Sequence, residues 1–149
     1  MKPALSKNSK YRQGIFTPKN REKFLGENAV YRSGLELKFM RFCDNNPNVL
    51  KWGSENIIVP YVSPLDGKVH RYFVDNFVII KEGDTIKKYL IEIKPSRQLK
   101  APTTKYKKKA HLVYEQQAFT VNQAKWIAAK EFCKKKGLEF LILTEKELG

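Results

Sequence analysis

The sequence predicts an α/β fold in which helices flank a mixed central sheet. Its 149 residues, 42% of them hydrophobic, are enough to build one packed domain. Three strand-like segments follow one another through short turns, and a helix then leads to a fourth strand. Short turns join antiparallel neighbours, whereas a helical crossover joins parallel strands. The sheet is therefore predicted to be an antiparallel meander extended by one parallel crossover strand.

We assign residues 1–28 to a basic N-terminal arm and residues 29–149 to a single domain. The arm carries seven Lys or Arg residues against Glu22 and Glu27, and its apolar residues follow no sustained helical period. We expect it to become ordered only against the domain or on a nucleic acid. It lacks the apolar core of a secretory signal, and no apolar run of roughly 18 residues predicts a membrane span.

The first helix is predicted to begin at Ser33. The segment Ser-Gly-Leu-Glu at residues 33–36 matches a capping box, with Ser33 as the N-cap and Glu36 at the third helical position. The polar segment 45–47, which ends in proline, predicts where the helix stops. Apolar residues at helical spacing predict the face that packs on the sheet: Leu35, Phe39, Phe42 and Cys43.

Three strands are predicted next, at residues 56–62, 69–80 and 85–94. Turn residues separate them, first the hairpin signal Asp66-Gly67 and then residues 82–84. Pro60 indicates that the first of these strands lies at an edge or contains a bulge, because proline cannot donate to a sheet hydrogen bond.

A basic linker is then predicted to lead to a helix at residues 120–136 and a strand at residues 138–143. Gly137, between them, suits the left-handed conformation that ends helices. The segment Thr-Glu-Lys-Glu at residues 144–147 is a second capping box and predicts a short terminal helix. The buried side of the long helix is predicted to comprise these residues: Val121, Ala124, Trp126, Ile127, Ala128 and Phe132.

Asp75, Glu92 and Lys94 are predicted to meet on one face of the sheet. Asp75 belongs to the second strand, and Glu92 follows on the third after sixteen intervening residues. Because residues two apart in a strand face the same way, Glu92 and Lys94 project together, while Ile91 and Ile93 point into the core.

Two carboxylates and a lysine suit a divalent-metal phosphodiesterase. Mg²⁺ takes oxygen ligands and retains waters, and it would polarise a phosphoryl oxygen and acidify a bound water. The carbonyl of Ile93 is a further candidate ligand, and Lys94 would orient or deprotonate the attacking water. The alternative is ordinary surface pairing, with Asp75 capping a turn. Glu36 also has two interpretations, since it either serves only the capping box or reaches the metal directly or through water.

Clustered charge indicates that the phosphodiester belongs to a nucleic acid. The net charge is +14, and residues 94–109 contain seven basic residues and no acidic one. Such clusters neutralise phosphates, although a solvated surface is the alternative. His70 and Gln123 are further candidate contacts, with a partly exposed strand residue as the simpler interpretation of His70. The basic residues of this cluster are Lys94, Arg97, Lys100, Lys105, Lys107, Lys108 and Lys109.

These motifs together resemble the PD-(D/E)xK nuclease superfamily, whose members have a restriction-endonuclease-like core. The resembling segments are Arg32-Ser33-Gly34-Leu35-Glu36, His70-Arg71-Tyr72-Phe73-Val74-Asp75 and Ile91-Glu92-Ile93-Lys94. The resemblance implies that Asp75 and Glu92 bind metal, that Lys94 is catalytic and that Glu36 is an accessory acid. Arg32, which opens the first segment, is assigned to DNA contact. One departure is visible, since the family's usual proline before the aspartate is Val74 here.

Two narrower resemblances suggest a setting for this chemistry. Residues 124–145 resemble transposon nucleases of the TnsA type, and the whole chain resembles the head completion nucleases of T-even-type phages. The latter resemblance implies a role in virion assembly, in which the protein acts on packaged DNA at the filled head before the tail joins. With the site, it leads us to expect a Mg²⁺-dependent endonuclease, with exonuclease action and Mn²⁺ substitution as further expectations. It also implies double-stranded DNA and phage head or neck proteins as partners, in the host cytoplasm and then in the virion. The oligomeric state stays open, with a homodimer as one option.

Two alternative functions remain open from the sequence. One is a structural neck protein that binds DNA ends without cutting them, and the other is a junction-resolving or transposition nuclease. Intact Asp75, Glu92 and Lys94 disfavour the first alternative. The second predicts a preference for branched DNA.

Overall fold

The computed structural model describes residues 12–103 and 108–149, and within these ranges most strands follow one another directly, with five of them between the first two α-helices. Two short 3-10 helices also occur, at Arg21–Lys23 and Ser96–Leu99. The strands and α-helices, in chain order, are β1 (Gly14–Phe16), β2 (Phe24–Leu25), β3 (Ala29–Tyr31), α1 (Gly34–Asn45), β4 (Val49–Ser54), β5 (Ile58–Val62), β6 (Val69–Phe73), β7 (Asn76–Glu82), β8 (Thr85–Ile93), α2 (Lys109–Lys136), β9 (Glu139–Leu143) and α3 (Glu145–Leu148).

A five-stranded mixed sheet forms the centre of the fold, in the order β2-β4-β7-β8-β9. The inner pairs β4–β7 and β7–β8 are antiparallel, while β2–β4 and β8–β9 are parallel. One apolar core contains Phe39 and Met40 of α1, and a second contains Trp126 and Ala129 of α2. The predicted α/β fold, with a mixed sheet flanked by helices and a parallel crossover strand, is confirmed.

The predicted strand 69–80 proves to be two strands that belong to different sheets. β6 pairs with β5 in a separate two-stranded sheet, whereas β7 lies between β4 and β8. At the break, the Val74 N–H donates to the Ile57 carbonyl (3.1 Å), and the Asp75 carbonyl accepts from the Glu55 N–H (3.0 Å). Alternate residues remain buried through the break, so the period-two pattern conceals it. Val74 makes a hydrogen bond here that the family's usual proline could not make.

Strand β4 was not predicted from the sequence. The register shifts between Val49 and Lys51, and Leu50 and Lys51 are both exposed. A bulge of this kind places two consecutive side chains on the solvent side and breaks the alternation by which strands are recognised.

Part of the predicted basic arm lies against the domain. β1 pairs with β3, and β2 pairs with β4. The buried carboxylate of Asp44 accepts hydrogen bonds from the Lys19 and Asn20 backbone N–H groups, each at 2.9 Å. Residues 1–11 of the arm lie outside the described residues, and the division at residue 28 stays a prediction.

Helix α1 is capped by Ser33, whose Oγ accepts from the Glu36 N–H at 3.2 Å as predicted. The predicted capping box is not completed, because the Glu36 carboxylate accepts from the Arg32 N–H rather than from the Ser33 N–H. Phe42 was predicted to be buried, but it is 43% exposed because the buried stripe of α1 is centred on Phe39, Met40 and Cys43.

Helix α2 begins at Lys109 rather than near residue 120, and Gly137 (φ 72°) ends it as predicted. Its first half carries no buried stripe, with Tyr114 exposed, so hydrophobic periodicity indicated only the second half. Trp126 is buried as predicted, whereas Ile127, one position further round the helix, is 64% exposed. Within residues 12–103 and 108–149, none of the helices combines the length and the apolar character needed to cross a bilayer.

Candidate active site

The candidate site lies where the chain passes from β6 to β7 and where β8 ends. The register Asn76↔Ile91 between β7 and β8 places Asp75 beside Glu92 and Ile93. Asp75 Oδ2 accepts a hydrogen bond from the Ile93 N–H at 2.8 Å. The break between β6 and β7 therefore turns the Asp75 carboxylate toward the end of β8, where Glu92 and Lys94 are.

Glu92 is almost fully buried and is held from two sides. Its Oε2 accepts a hydrogen bond from Trp126 Nε1 of α2 at 3.2 Å and lies 3.9 Å from Lys94 Nζ. Ile91 and Ile93 pack into the opposite core with α1. Alternation along β8 thus places Glu92 on the α2 side of the sheet, with the Lys94 ammonium next to it.

The Asp75 carboxyl group has a strongly perturbed pKa. The residue as a whole is half-buried, but its carboxyl group is enclosed by protein atoms. Burial, followed by the charges of Glu92 and Glu36, raises the pKa of Asp75 well above its usual range, and the charge of Lys94 opposes this. Two carboxylates held this close repel each other when both are ionised.

Glu36 combines its capping role with a place beside this cluster. Its Oε1 accepts from the Arg32 N–H at 3.2 Å and its Oε2 from Ser33 Oγ at 3.1 Å. Burial raises the pKa of Glu36 to about 7, although these two hydrogen bonds and the charge of Lys94 act in the opposite direction. Because Lys94 and Asp75 both interact with its charge, Glu36 belongs electrostatically to the same site.

Glu55 is a site residue that the sequence did not reveal. It follows β4, is buried, and has a φ of 50°, a left-handed conformation that is uncommon for a residue other than glycine. Arg32 Nε lies 2.7 Å from Glu55 Oε2, and Arg32 Nη2 lies 3.1 Å from Oε1, so the pair is bidentate. This hydrogen bonding raises the pKa of Arg32, with the charges of Glu36 and Asp75 adding to it. Glu55 was missed because β4 was missed.

Tyr72 and Lys125 also adjoin the carboxylates and were not identified. Burial, followed by the charges of Glu92 and Asp75, raises the pKa of the Tyr72 hydroxyl. Burial lowers the pKa of Lys125, on which the charges of Glu92, Lys94 and Asp75 also act. One signal was available in the sequence, since Lys125 stands four residues after Val121 and interrupts the apolar stripe of α2.

The predicted DNA-contacting residues occupy several places. Arg97 and Lys100 are exposed just beyond Lys94, where the chain is tied to α3 by a 2.7 Å hydrogen bond from the Ser96 N–H to Glu145 Oε1. The remaining basic and polar candidates fall on α2, on β6, or outside the described ranges. Lys108 and Lys109 are exposed at the start of α2, and Gln123 is half-buried further along the same helix. His70 pairs with Asp66 at 2.8 Å in the β5–β6 hairpin. Lys105 and Lys107 lie outside the described residues.

The oxygen-rich site suits a hard divalent cation. Asp75 and Glu92 offer carboxylate oxygens, and the raised pKa of Asp75 shows how unfavourable its ionised form is beside Glu92 and Glu36. In the described part of the chain, no three acidic, His or Cys side chains form a ready-made metal cage. Mg²⁺ does not require one, because it commonly binds through one or two carboxylates and keeps several waters.

The fold is a mixed sheet flanked by helices, and Asp75, Glu92 and Lys94 lie together at the ends of its strands. This combination is that of a nuclease of the restriction-endonuclease-like class. Residues 46–145 match the family described as TnsA-like endonuclease N terminal, and the chain belongs to this family. The head completion nuclease of Enterobacteria phage T4 is 36% identical over 143 residues, which cover 91% of this chain and 92% of that protein. The family match includes Asp75, Glu92 and Lys94 but begins after α1, so Glu36 lies outside it.

Proposed function

We propose that this protein is a Mg²⁺-dependent DNA endonuclease, with Mn²⁺ able to substitute and with exonuclease action on DNA ends. The observation that carries the proposal is the enclosed Asp75 carboxyl beside Glu92, with the Lys94 ammonium 3.9 Å from Glu92 Oε2. An ordinary surface pair would not explain why two carboxyl groups are buried together. A phosphodiesterase that uses a hard cation needs this arrangement.

Each site residue has an assigned part in the proposal. Asp75, Glu92 and the Ile93 carbonyl would hold the cation, and Glu36 would act directly or through water. When bound, the cation polarises a phosphoryl oxygen and acidifies the attacking water. Lys94 orients that water and stabilises negative charge developing on the phosphate.

The surface charge supports DNA as the substrate. Arg97 and Lys100 are exposed immediately after Lys94, and Lys108 and Lys109 are exposed at the start of α2. A chain with a net charge of +14 attracts phosphates without regard to base sequence. The substrate would therefore be recognised mainly through its backbone.

Cleavage of linear and covalently closed duplex DNA tests the proposal. We expect the wild type to cut in Mg²⁺ and not in EDTA, and we expect Asp75→Asn to cut neither the linear nor the covalently closed DNA in Mg²⁺. The matched control is Asp84→Asn, at an exposed turn residue, and it should cut normally. Wild-type cutting by Asp75→Asn would contradict the site assignment. DNA binding without cutting in Mg²⁺ and Mn²⁺ would favour the structural DNA-end protein.

The similarity to the T4 head completion nuclease leads us to extend the proposal to virion assembly. The T4 protein is a head completion nuclease, and we propose that this chain acts with phage head and neck proteins on packaged DNA before the tail joins. Filled heads lacking the protein should join tails when wild-type protein is added and not when Asp75→Asn is added. Equal joining by both proteins would separate the assembly role from cleavage.

A further inference from the structure

Lys125 forms no close ion pair in the described part of the chain, and the charges of Glu92 and Asp75 act on it only from a greater distance. It is half-buried on α2, and its Nζ lies 5.4 Å from the ring centre of Tyr72 and 5.9 Å from that of Tyr61. None of the ion pairs within residues 12–103 and 108–149 includes Lys125. Ring faces attract a cation but leave its N–H groups without hydrogen-bond acceptors. An ammonium in this position is therefore prepared for an anion that comes from elsewhere.

Tyr72 provides a second unfilled group beside Lys125. The residue is 3% exposed, and its hydroxyl makes no hydrogen bond of good geometry with the described residues, although Glu92 and Trp126 lie close enough to affect its pKa. Buried hydroxyls are nearly always paired, so an unpaired one calls for a specific explanation. An acceptor oxygen near Lys125 could receive bonds from both the ammonium and the hydroxyl.

The ammonium can be reached from solvent. Lys125 lines an open groove of about 270 Å³ between the tip of the β5–β6 hairpin, at Leu65, and the first half of α2, including Asn122. Tyr114, on the wall of the same groove, is 74% exposed. The groove is thus an entry path for a strand of substrate rather than a closed cavity.

We infer that Lys125 and Tyr72 bind a non-bridging oxygen of the phosphodiester that is cut. The inference rests on the proposed nuclease function, and it adds Lys125 to the site as a second positively charged side chain beside Lys94. Lys94 follows β8, whereas Lys125 comes from α2, so the two ammonium groups approach the site from different elements. The phosphate would replace the missing partner of Lys125 and pair the Tyr72 hydroxyl at the same time.

Three variants test this assignment. Lys125→Met removes the charge but keeps an unbranched side chain over the tyrosine rings. Lys130→Met, at an exposed position on the same helix, removes one charge as a matched control, and Tyr72→Phe removes only the hydroxyl. At saturating DNA in Mg²⁺, we expect Lys125→Met to cut roughly 100-fold more slowly and Tyr72→Phe roughly 10-fold more slowly. Lys130→Met should stay within about twofold of the wild type.

A binding measurement separates this inference from the proposed function. In EDTA, without cleavage, Lys125→Met should reduce the slope of log affinity against log salt by about one. If Lys125→Met cuts like Lys130→Met, the inference is overturned while the nuclease stands. If the wild type cuts no DNA, the nuclease proposal fails, and an unchanged salt slope in Lys125→Met then overturns the inference as well. If Lys125→Met does not fold, Lys125→Gln is measured in its place, with the same loss expected.

Discussion

Replacing Glu36 by glutamine should stabilise the cation-free protein at alkaline pH. Glu36 is buried, and its pKa is raised to about 7 from an ordinary value of 4.5. Such a carboxyl binds more protons in the folded state than in the unfolded state between these two values. Its ionisation has no effect on stability below pH 4.5, destabilises the fold progressively as the pH rises, and has its full effect above pH 7.

The size of the effect follows from the two pKa values. The difference is about 2.5, and each unit corresponds to about 1.4 kcal/mol, so ionised Glu36 lowers the free energy of unfolding by about 3 kcal/mol. Glutamine removes the ionisation and can still accept the hydrogen bond from the Arg32 N–H. It loses one acceptor for Ser33 Oγ, which costs about 1 kcal/mol at every pH. We therefore expect Glu36→Gln to be slightly less stable than the wild type at about pH 4.5 and about 2 kcal/mol more stable at about pH 8.5.

Urea unfolding in EDTA at these two pH values measures the prediction. The quantity to compare is the difference in unfolding free energy between Glu36→Gln and the wild type, with Glu131→Gln, at an exposed position on α2, as the control. The same difference at both pH values would refute the reasoning, because it would mean that Glu36 ionises without a penalty. Adding Mg²⁺ at about pH 8.5 should stabilise the wild type more than Glu36→Gln, since a ligand stabilises the state that binds it.

Three further predictions concern the site, the DNA surface and the N-terminal segment. Glu92→Gln keeps an acceptor for Trp126 Nε1, but we expect it to cut DNA at least about 100-fold more slowly than the control Glu139→Gln, at an exposed position. Equal cleavage rates would show that Glu92 does not belong to the site. Asp44→Ala should lower the free energy of unfolding by about 2–4 kcal/mol, because two backbone N–H groups lose their acceptor, whereas Asp84→Ala should change it by less than about 0.5 kcal/mol. Replacing four exposed cations by alanine should lower the salt slope of DNA binding by about three to four, and an unchanged slope would place them away from the DNA. Those four residues are Arg97, Lys100, Lys108 and Lys109.

Local patterns in the sequence were sufficient for the fold class and for three members of the site. The N-cap at Ser33, the capping box at Thr144 and the glycine at 137 are short-range signals, and the structure has each of them. Glu92 and Lys94 share a face because strand geometry requires it, whatever the rest of the chain does. The first half of α2 was not predicted, because its residues are largely exposed and therefore show no apolar stripe at helical spacing.

What the sequence by itself determined was the fold class, most of the strands and helices, and a short set of candidate cation-binding side chains. Only the tertiary structure decided that the run through Val74 and Asp75 divides between two sheets, because hydrogen bonds to Ile57 and Glu55 redirect the backbone there. It also decided that Glu55 and Lys125 adjoin the carboxylates, since they come from β4 and α2, far from Asp75 in the sequence. Alternation and spacing report local geometry, whereas the enclosure that raises the pKa of Asp75 depends on how separate elements pack together.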